Sequence, residues 1–175
     1  MIAGLNPPPV GDPSSASSSQ TSAMNYPVLP ASEFSAARVV PELLVSDIGK
    51  SLHFWCGLCG FSIAYDRPED HFAYLDKHGS QVMLEEYGHG RNWITGPLEA
   101  PLGRGINLQI EVPAIAPIVE ALRGAGWPLY MEPEEKWYRA DASEVGVQQF
   151  LVQDPDGYLL RFSAGLGRRA IAAAV

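Results

Sequence analysis

Residues 45–55, VSDIGKSLHFW, contain the end of one predicted strand and the start of one predicted helix. Before this stretch, from about residue 38, apolar side chains alternate in the manner of a β-strand. Asp47 is the predicted N-cap of the helix, whose apolar face carries Ile48, Leu52 and Trp55. Gly60 ends the helix. Three short strands are predicted to follow, at about 61–66, 71–76 and 80–86.

The second half of the chain repeats this order of elements. Four apolar positions match four others at one constant spacing: Val45, Ile48, Leu52 and Trp55 correspond to Val112, Ile115, Val119 and Leu122. Gly79 and Gly157 take matching turns. A strand beginning at Ile106 and a helix ending at Gly124 are followed by predicted strands near 127–131, 147–153 and 158–163.

This repeat predicts an α+β fold built from two βαβββ units, at about 38–87 and 104–164. A connector rich in glycine and proline, about residues 88–103, joins them. Residues 36–169 are expected to form one domain, as the length of 175 residues suggests.

Residues 1–35 differ from the rest of the chain. They are rich in proline and serine and lack a periodic apolar pattern. Such a segment buries too little surface to offset the entropy of ordering it, so we expect a disordered N-terminal extension. Met24 is an alternative start of translation.

Charge and hydropathy exclude several classes of partner. The net charge is −8, from 12 basic and 20 acidic residues, and no cluster of Lys and Arg exists. No nucleic-acid partner is therefore predicted, because phosphate binding needs clustered basic residues. No run of 18 apolar residues exists, so no membrane partner is predicted. The N-terminus lacks the features of a secretory signal, and we expect a cytoplasmic protein.

The two cysteines, Cys56 and Cys59, are spaced like a redox dithiol or half a zinc site. No second cysteine pair exists to complete a zinc site. The pair also lies where a helix ends, whereas a redox dithiol follows a strand and begins a helix. A structural role is therefore favoured.

Two stretches resemble the vicinal-oxygen-chelate superfamily, which includes glyoxalase I, extradiol dioxygenases, fosfomycin-resistance enzymes and bleomycin-resistance proteins. Residues 45–55 resemble its first strand and helix, and QFLVQDPDGYLLRF (149–162) resembles its final hairpin. The resemblance covers residues 38–165. It implies that the two units form a curved mixed sheet around a cleft.

In enzymes of this superfamily, His, Gln or Glu at four points bind a divalent metal. Carried over one at a time, these points fall on Val40, Met83, Asn107 and Arg161. Valine offers no donor atom, and arginine brings a positive charge that repels a cation. Neutral amide and thioether groups are poor substitutes for imidazole and carboxylate. We therefore predict no metal, no cofactor and no catalytic residue.

An alternative is a metal-dependent glyoxalase-like lyase or dioxygenase with an atypical site. Glu85 lies on the same strand face as Met83, and His71 begins a strand. These two residues are the candidate ligands of that alternative. A ligand-sensing or partner-binding module is a third possibility, which no residue supports directly.

Strand alternation divides the remaining side chains between two faces. The set predicted to pack against the helices is apolar: Val39, Leu43, Val82, Leu84, Leu108, Ile110, Leu160 and Phe162. The opposite face is predicted to bind ligand through Glu42, Gln81, Glu85, Asn107, Gln109, Gln149 and Arg161. Three aromatic residues predicted to lie in loops, Trp93, Trp137 and Tyr138, complete the predicted site, because flat rings stack on planar ligands and attract cations.

Bleomycin-resistance proteins resemble this chain because they too lack the metal ligands. They sequester the drug as homodimers, with binding grooves at the subunit interface and often an exchanged N-terminal strand. Pro41 suits an edge or exchanged strand, since proline donates no backbone hydrogen bond. Bleomycin is cationic and carries a planar bithiazole. The resemblance implies a homodimer that binds a bleomycin-like antibiotic without transforming it and so confers resistance.

Overall fold

The computed structural model describes residues 25–90 and 92–171. These residues form two four-stranded sheets. The first unit contains β1 (Glu42–Val45), α1 (Ile48–Leu52), β2 (Ser62–Arg67), β3 (Phe72–Lys77) and β4 (Ser80–Glu86). The second contains β5 (Asn107–Glu111), α2 (Ala116–Gly124), β6 (Leu129–Ala140), β7 (Ser143–Gln153) and β8 (Leu159–Ala170). The prediction of an α+β fold with two βαβββ units is confirmed.

Both sheets have the same topology, β1-β4-β3-β2 and β5-β8-β7-β6. The first strand of each unit runs parallel to the last, and the other pairs are antiparallel. Because a parallel neighbour needs a crossover connection, α1 and α2 follow directly after β1 and β5. No helix among the described residues is long and apolar enough to cross a membrane.

The first helix begins as predicted and then widens. The Asp47 carboxylate accepts a hydrogen bond of 2.9 Å from the Lys50 backbone N–H, which caps α1. From His53 to Leu58 the backbone is π-helical. This wider turn places three successive side chains, Phe54, Trp55 and Cys56, in the core.

One core serves both units. The inner faces of both sheets and both helices contribute to a single cluster of buried side chains, which includes Val45, Trp55, Leu84, Leu122 and Phe150. The other face of each sheet turns away from this core. Six of the eight residues predicted to pack against the helices are at most 7% exposed, and Leu108 packs partly against the cluster.

Val39 is the exception, and its prediction is wrong, since its side chain is 86% exposed. β1 begins only at Glu42 because Pro41 has no N–H to donate to the sheet. The Pro41 carbonyl still accepts a 2.8 Å hydrogen bond from Met83, so the ladder starts at that carbonyl.

The Asp-Pro-Asp-Gly turn at 154–157 joins the two units. The Trp55 indole N–H donates to the Asp154 carboxylate at 3.3 Å, and the Ser46 backbone N–H donates to Asp156 at 3.1 Å. Gly157 has φ 93°, and a Cβ there would lie 2.4 Å from the Cβ of Pro101. Glycine is therefore required by both the conformation and the close approach.

The last three strands are longer than predicted. β5 pairs with β8 only as far as Ser163, whereas β6, β7 and β8 continue past it as a three-stranded arm (residues 135–140, 143–148 and 164–170). The prediction that Trp137 and Tyr138 lie in a loop is wrong, because both belong to β6. Charged residues at 134–136 obscure the strand pattern in the sequence.

Residues 25–35, part of the extension predicted to be disordered, contact the first sheet. Val28 forms a parallel bridge with Ile63, and backbone hydrogen bonds of 2.8 Å join Ile63 to Pro27 and Leu29. The ring of Phe34 packs on the first sheet. The apolar side chains of this stretch pack against the edge and one face of the first sheet. The apolar surface that they bury offsets the entropy lost when the stretch becomes ordered. Residues 1–24 of the predicted extension lie outside the described residues.

The buried Asp154 makes stability depend on pH. Burial raises its pKa to about 6, although N–H groups of Tyr158, Trp55 and Asp156 oppose the shift. An unfolded aspartate titrates near pH 4, so the folded protein holds the extra proton between about pH 4 and 6. The free energy of unfolding is expected to fall as pH rises through that window, by on the order of 2 kcal/mol more than in Asp154→Asn.

Denaturant unfolding at several pH values measures this difference. The control is Asp141→Asn, the same change in the exposed turn between β6 and β7. Parallel pH profiles for the wild type and Asp154→Asn would contradict the assignment.

Candidate functional site

Each sheet has an open face, defined as the face opposite the core. Strand alternation and register give its members. The first open face, on sheet β1-β4-β3-β2, carries Glu42, Tyr65, Arg67, Phe72, Tyr74, Gln81, Met83 and Glu85. The second open face, on sheet β5-β8-β7-β6, carries Asn107, Gln109, Glu134, Tyr138, Gln149, Arg161 and Ser163.

Two carboxyl groups meet on the first open face. Burial raises the pKa of Glu42, a hydrogen bond and charge repulsion from Glu85 raise it further, and Arg67 opposes the shift. Asn92 donates to Glu85 at 3.2 Å and orients it from the connector. The pair is therefore a site of concentrated negative charge, which a cation would stabilise.

Aromatic rings lie on the same face. Tyr65 and Tyr74 stack with centroids 5.1 Å apart, and Phe34 meets both edge-on, at 5.9 and 5.2 Å. The guanidinium of Arg67 lies 3.7 Å from the ring centroid of Phe72. The rings of this face thus already pack against one further aromatic ring, that of Phe34, and against one cation, that of Arg67.

Gln81 anchors the N-terminal segment across the first open face. Its amide oxygen accepts hydrogen bonds of 2.7 Å from the Ala37 backbone and the Tyr74 hydroxyl. Its amide nitrogen donates at 2.8 Å to the Ser35 carbonyl and to Asp76. These four bonds use the whole capacity of the amide, so Gln81 holds the segment in place and has none left for a ligand in this arrangement.

Side-chain amides form hydrogen bonds across the second open face. Gln149, only 4% exposed, donates to Glu134 at 2.8 Å and to the Tyr138 hydroxyl at 2.9 Å. Arg161 donates to Gln109. Four of the predicted site residues are thus held in two linked pairs, Gln149 with Tyr138 and Gln109 with Arg161.

A groove of about 340 Å³ lies between the two units. Its lining includes Gln81, Asn107 and Gln109 beside Pro41 and Leu108. This volume is within the range of small-molecule sites. The groove brings together predicted residues from both units.

The other predicted aromatic residues lie elsewhere. Trp137 points to the opposite side of β6 from Tyr138, where a Cβ on Gly146 would lie 2.7 Å from its ring. Arg169 covers that ring at 4.0 Å. Trp93, in the connector, is 72% exposed. Of the three, only Tyr138 belongs to an open face.

The comparisons with known proteins agree with this architecture. The family model described as Glyoxalase/Bleomycin resistance protein/Dioxygenase superfamily matches residues 36–162. The chain belongs to this superfamily. Its members include both enzymes and non-catalytic binders. Among curated proteins, none matches the chain significantly.

Three solved structures illustrate the similarity. A superfamily member from Vibrio splendidus 12B01 is 38% identical over 75% of this chain and 100% of its own, with a TM-score of 0.34. TioX from Micromonospora sp. ML1 is 20% identical over 75% and 100%, with a TM-score of 0.57. Virulence protein STM3117 from Salmonella typhimurium is 19% identical over 75% and 98%, with a TM-score of 0.54. The last two support the fold alone.

The structure places the four residues that the resemblance implied as metal-ligand points. Met83 lies beside Glu42 on the first open face, Val40 precedes β1, and Arg161 bonds Gln109. Asn107 is exposed at the start of β5. The expected absence of a metal at these four points stays a prediction.

The alternative ligand pair of Glu85 and His71 is not formed. Glu85 lies with Glu42 and Asn92, whereas His71 is 3.3 Å from Glu86. The cysteines are buried and free, and burial raises the pKa of the Cys56 thiol to about 12. Burial also raises the pKa of Cys59, which keeps both thiols protonated.

The sequence interpretation missed the aromatic residues of the first open face, Tyr65, Phe72 and Tyr74, and the cation Arg67. Alternation in the predicted strand at 71–76 would have placed Phe72 and Tyr74 there. Tyr65 and Arg67 had no such signal, because a bulge between Ile63 and Tyr65 shifts them to the open face. The role of Phe34 had no such signal, because it lies outside any strand.

Replacing Glu85 tests the carboxyl pair. In Glu85→Gln, the pKa of Glu42 is expected to fall towards its ordinary value, without reaching it because burial is the larger cause. Carbon-13 NMR titration of the Glu42 carboxyl measures this change. Because Glu42 is largely exposed and screened, the accompanying gain in stability near neutral pH is expected to be below about 1 kcal/mol.

The matched control is Glu111→Gln, which makes the same change in β5 of the other sheet. It is expected to leave the Glu42 titration unchanged. An unchanged midpoint in Glu85→Gln would mean that the two carboxyl groups do not interact.

Proposed function

We propose that this protein binds and sequesters a planar, cationic small molecule of the bleomycin type, without a chemical step. The observation that carries the proposal is the carboxyl pair of Glu42 and Glu85 beside aromatic rings on one sheet face. Binding of this kind in the cytoplasm would confer resistance to the antibiotic.

The charge of the site suits a cationic ligand. A cationic group placed between Glu42 and Glu85 would gain two carboxylate partners at once and relieve their mutual repulsion. The net charge of −8 adds a favourable long-range field for a positive ligand. Arg67 over Phe72 is an internal example of a cation stacked on a ring of this face.

The rings of the first open face suit a planar group. Phe34 meets Tyr65 and Tyr74 edge-on and occupies the position that we assign to an aromatic group of the ligand. A ligand ring there would replace this contact with a similar one, so binding on this face requires Phe34 to move aside.

Side-chain chemistry favours binding over catalysis. The residues at the superfamily's four metal-ligand points are Val40, Met83, Asn107 and Arg161, none of which is an imidazole or a carboxylate. The cysteines are buried and protonated and do not act as nucleophiles. The proposal therefore assigns no catalytic residue.

We also propose a homodimer as the binding form. Both sheets give their inner faces to one core, so the two open faces of one chain turn away from it. Each open face is then half of a cleft, and the first open face of one copy would close on the second open face of the other. The amide pairs of Gln149 and Gln109 would supply hydrogen bonds opposite the carboxyl pair.

Calorimetric titration of metal-free bleomycin into the full chain, with chelator present, tests the binding function. We expect saturation near one drug per chain at micromolar affinity or tighter. Glu42→Gln combined with Glu85→Gln is expected to weaken binding at least about tenfold, because charge-assisted contacts are lost. Glu120→Gln, on the exposed side of α2, is the control for the loss of acidic charge. No heat together with unchanged tryptophan fluorescence would reject the drug as ligand.

Light scattering tests the dimer separately. At micromolar concentration the protein is expected to have the mass of two chains. A monomeric mass, with and without bleomycin, would contradict the shared cleft but leave binding to the first open face testable by calorimetry.

A further inference from the structure

Three potential metal ligands meet at one end of the first sheet, away from both open faces. They are His71 at the start of β3, Glu86 at the end of β4 and His89 in the connector. The chain has four histidines in all, and two of them contact the same carboxylate. Glu86 lies on the helix side of β4, where its Oε2, the oxygen that contacts His71, also accepts a 2.9 Å hydrogen bond from the Ile48 backbone N–H.

The positions of these groups are fixed by their surroundings. His71 has φ 52°, a left-handed conformation that is uncommon for residues other than glycine. Its carbonyl accepts a 3.1 Å hydrogen bond from the Glu86 N–H. Asn92 accepts from the Gly88 N–H at 2.9 Å and donates to the His89 carbonyl at 3.4 Å, which holds the loop that carries His89.

The distances match those around a small ion. Nδ1 of His71 lies 3.3 Å from Oε2 of Glu86, and Nε2 of His89 lies 3.3 Å from Oε1 of the same carboxylate. Two ligands bound about 2.0–2.1 Å from a tetrahedral Zn²⁺ are separated by roughly 3.3 Å. We infer that His71, Glu86 and His89 form a binding site for a divalent transition-metal ion of the zinc class.

The separation of the two imidazole rings shows which group must move when an ion binds. All three ligand atoms lie within 4.8 Å of one another, and the two imidazole rings stack with centroids 3.9 Å apart and planes 10° apart. A metal lies in the plane of each ring that binds it, so one ring must turn as the ion enters. His89 is in the connector, whereas His71 is held at the start of a strand. The turning ring is therefore His89.

The ligand set selects the class of ion. Two imidazoles and one carboxylate suit zinc, nickel or cobalt, whereas magnesium and calcium prefer oxygen ligands alone. The side chains of His71 and His89 are 38% and 46% exposed, so a bound ion keeps at least one position for water. This site is distinct from the superfamily's four ligand points, and it would tie the connector to the first sheet.

Calorimetric titration of ZnCl₂ into the full chain, prepared without a histidine tag, tests the site. We expect one Zn²⁺ per chain. His71→Ala is expected to weaken binding at least about tenfold, because even the loss of an outer-shell partner costs about 10–100-fold. The matched control is His78→Ala, since His78 has the same φ of 52° and is exposed in the turn after β3. Both variants place alanine at φ 52°, so both carry the same backbone strain. Only His71→Ala removes a ligand of the site.

Histidine-ring NMR provides a second measurement that needs no mutation of the site. Zn²⁺ is expected to shift the ring signals of His71 and His89 and to leave those of His53 and His78 unchanged. Equal Zn²⁺ affinity in His71→Ala and His78→Ala, or shifts confined to His53 and His78, would overturn the site and leave two plain histidine–glutamate ion pairs. Neither result bears on bleomycin binding, which is measured with chelator present.

Discussion

The hydrogen bond from Trp55 to Asp154 joins the two halves of the structure. Trp55 comes from the π-helical end of the first helix, and Asp154 begins the turn of the final hairpin, so the bond joins residues far apart in the chain. A buried carboxylate is costly unless donors surround it, and here two backbone N–H groups and one indole do so. Tyr158 adds a bond of 3.0 Å from its hydroxyl to the Leu44 carbonyl. The turn is therefore an anchor between units as well as a connection between strands.

This junction determines where ligands can bind. Since both units turn their helices and inner sheet faces to one core, the surfaces left for recognition are the two open faces, the groove between the units and the sheet ends. The first open face is acidic and aromatic, with Glu42, Glu85 and Tyr65. The second is rich in amides, with Gln109 and Gln149. The two faces differ because the repeated unit conserves the apolar pattern of its core and not the polar pattern of its open face.

The sequence predicted the features that depend on local pattern. The repeat, the cap at Asp47 and the alternation of Leu43, Val82 and Leu84 follow from periodicity, and the structure agrees with them. Features that depend on pairing between distant segments were missed. The arm was obscured by charged residues at 134–136, which β6 carries on exposed positions. The packing of Phe34 and the meeting of His71 with Glu86 and His89 require the register of β3 with β4 and the path of the connector, and no spacing rule provides either.

Through the contacts of Gln81 and Phe34, the chain's own N-terminal segment occupies the surface that we propose for the ligand. The segment is covalently attached, so it is always present at high local concentration, and under the proposed function a free molecule would compete with it for the rings of Tyr65 and Tyr74. The affinity measured for any such molecule is the intrinsic affinity multiplied by the fraction of chains in which the segment is undocked. Under the proposed function, shortening the chain beyond Phe34 would therefore tighten binding by removing the competing segment alone.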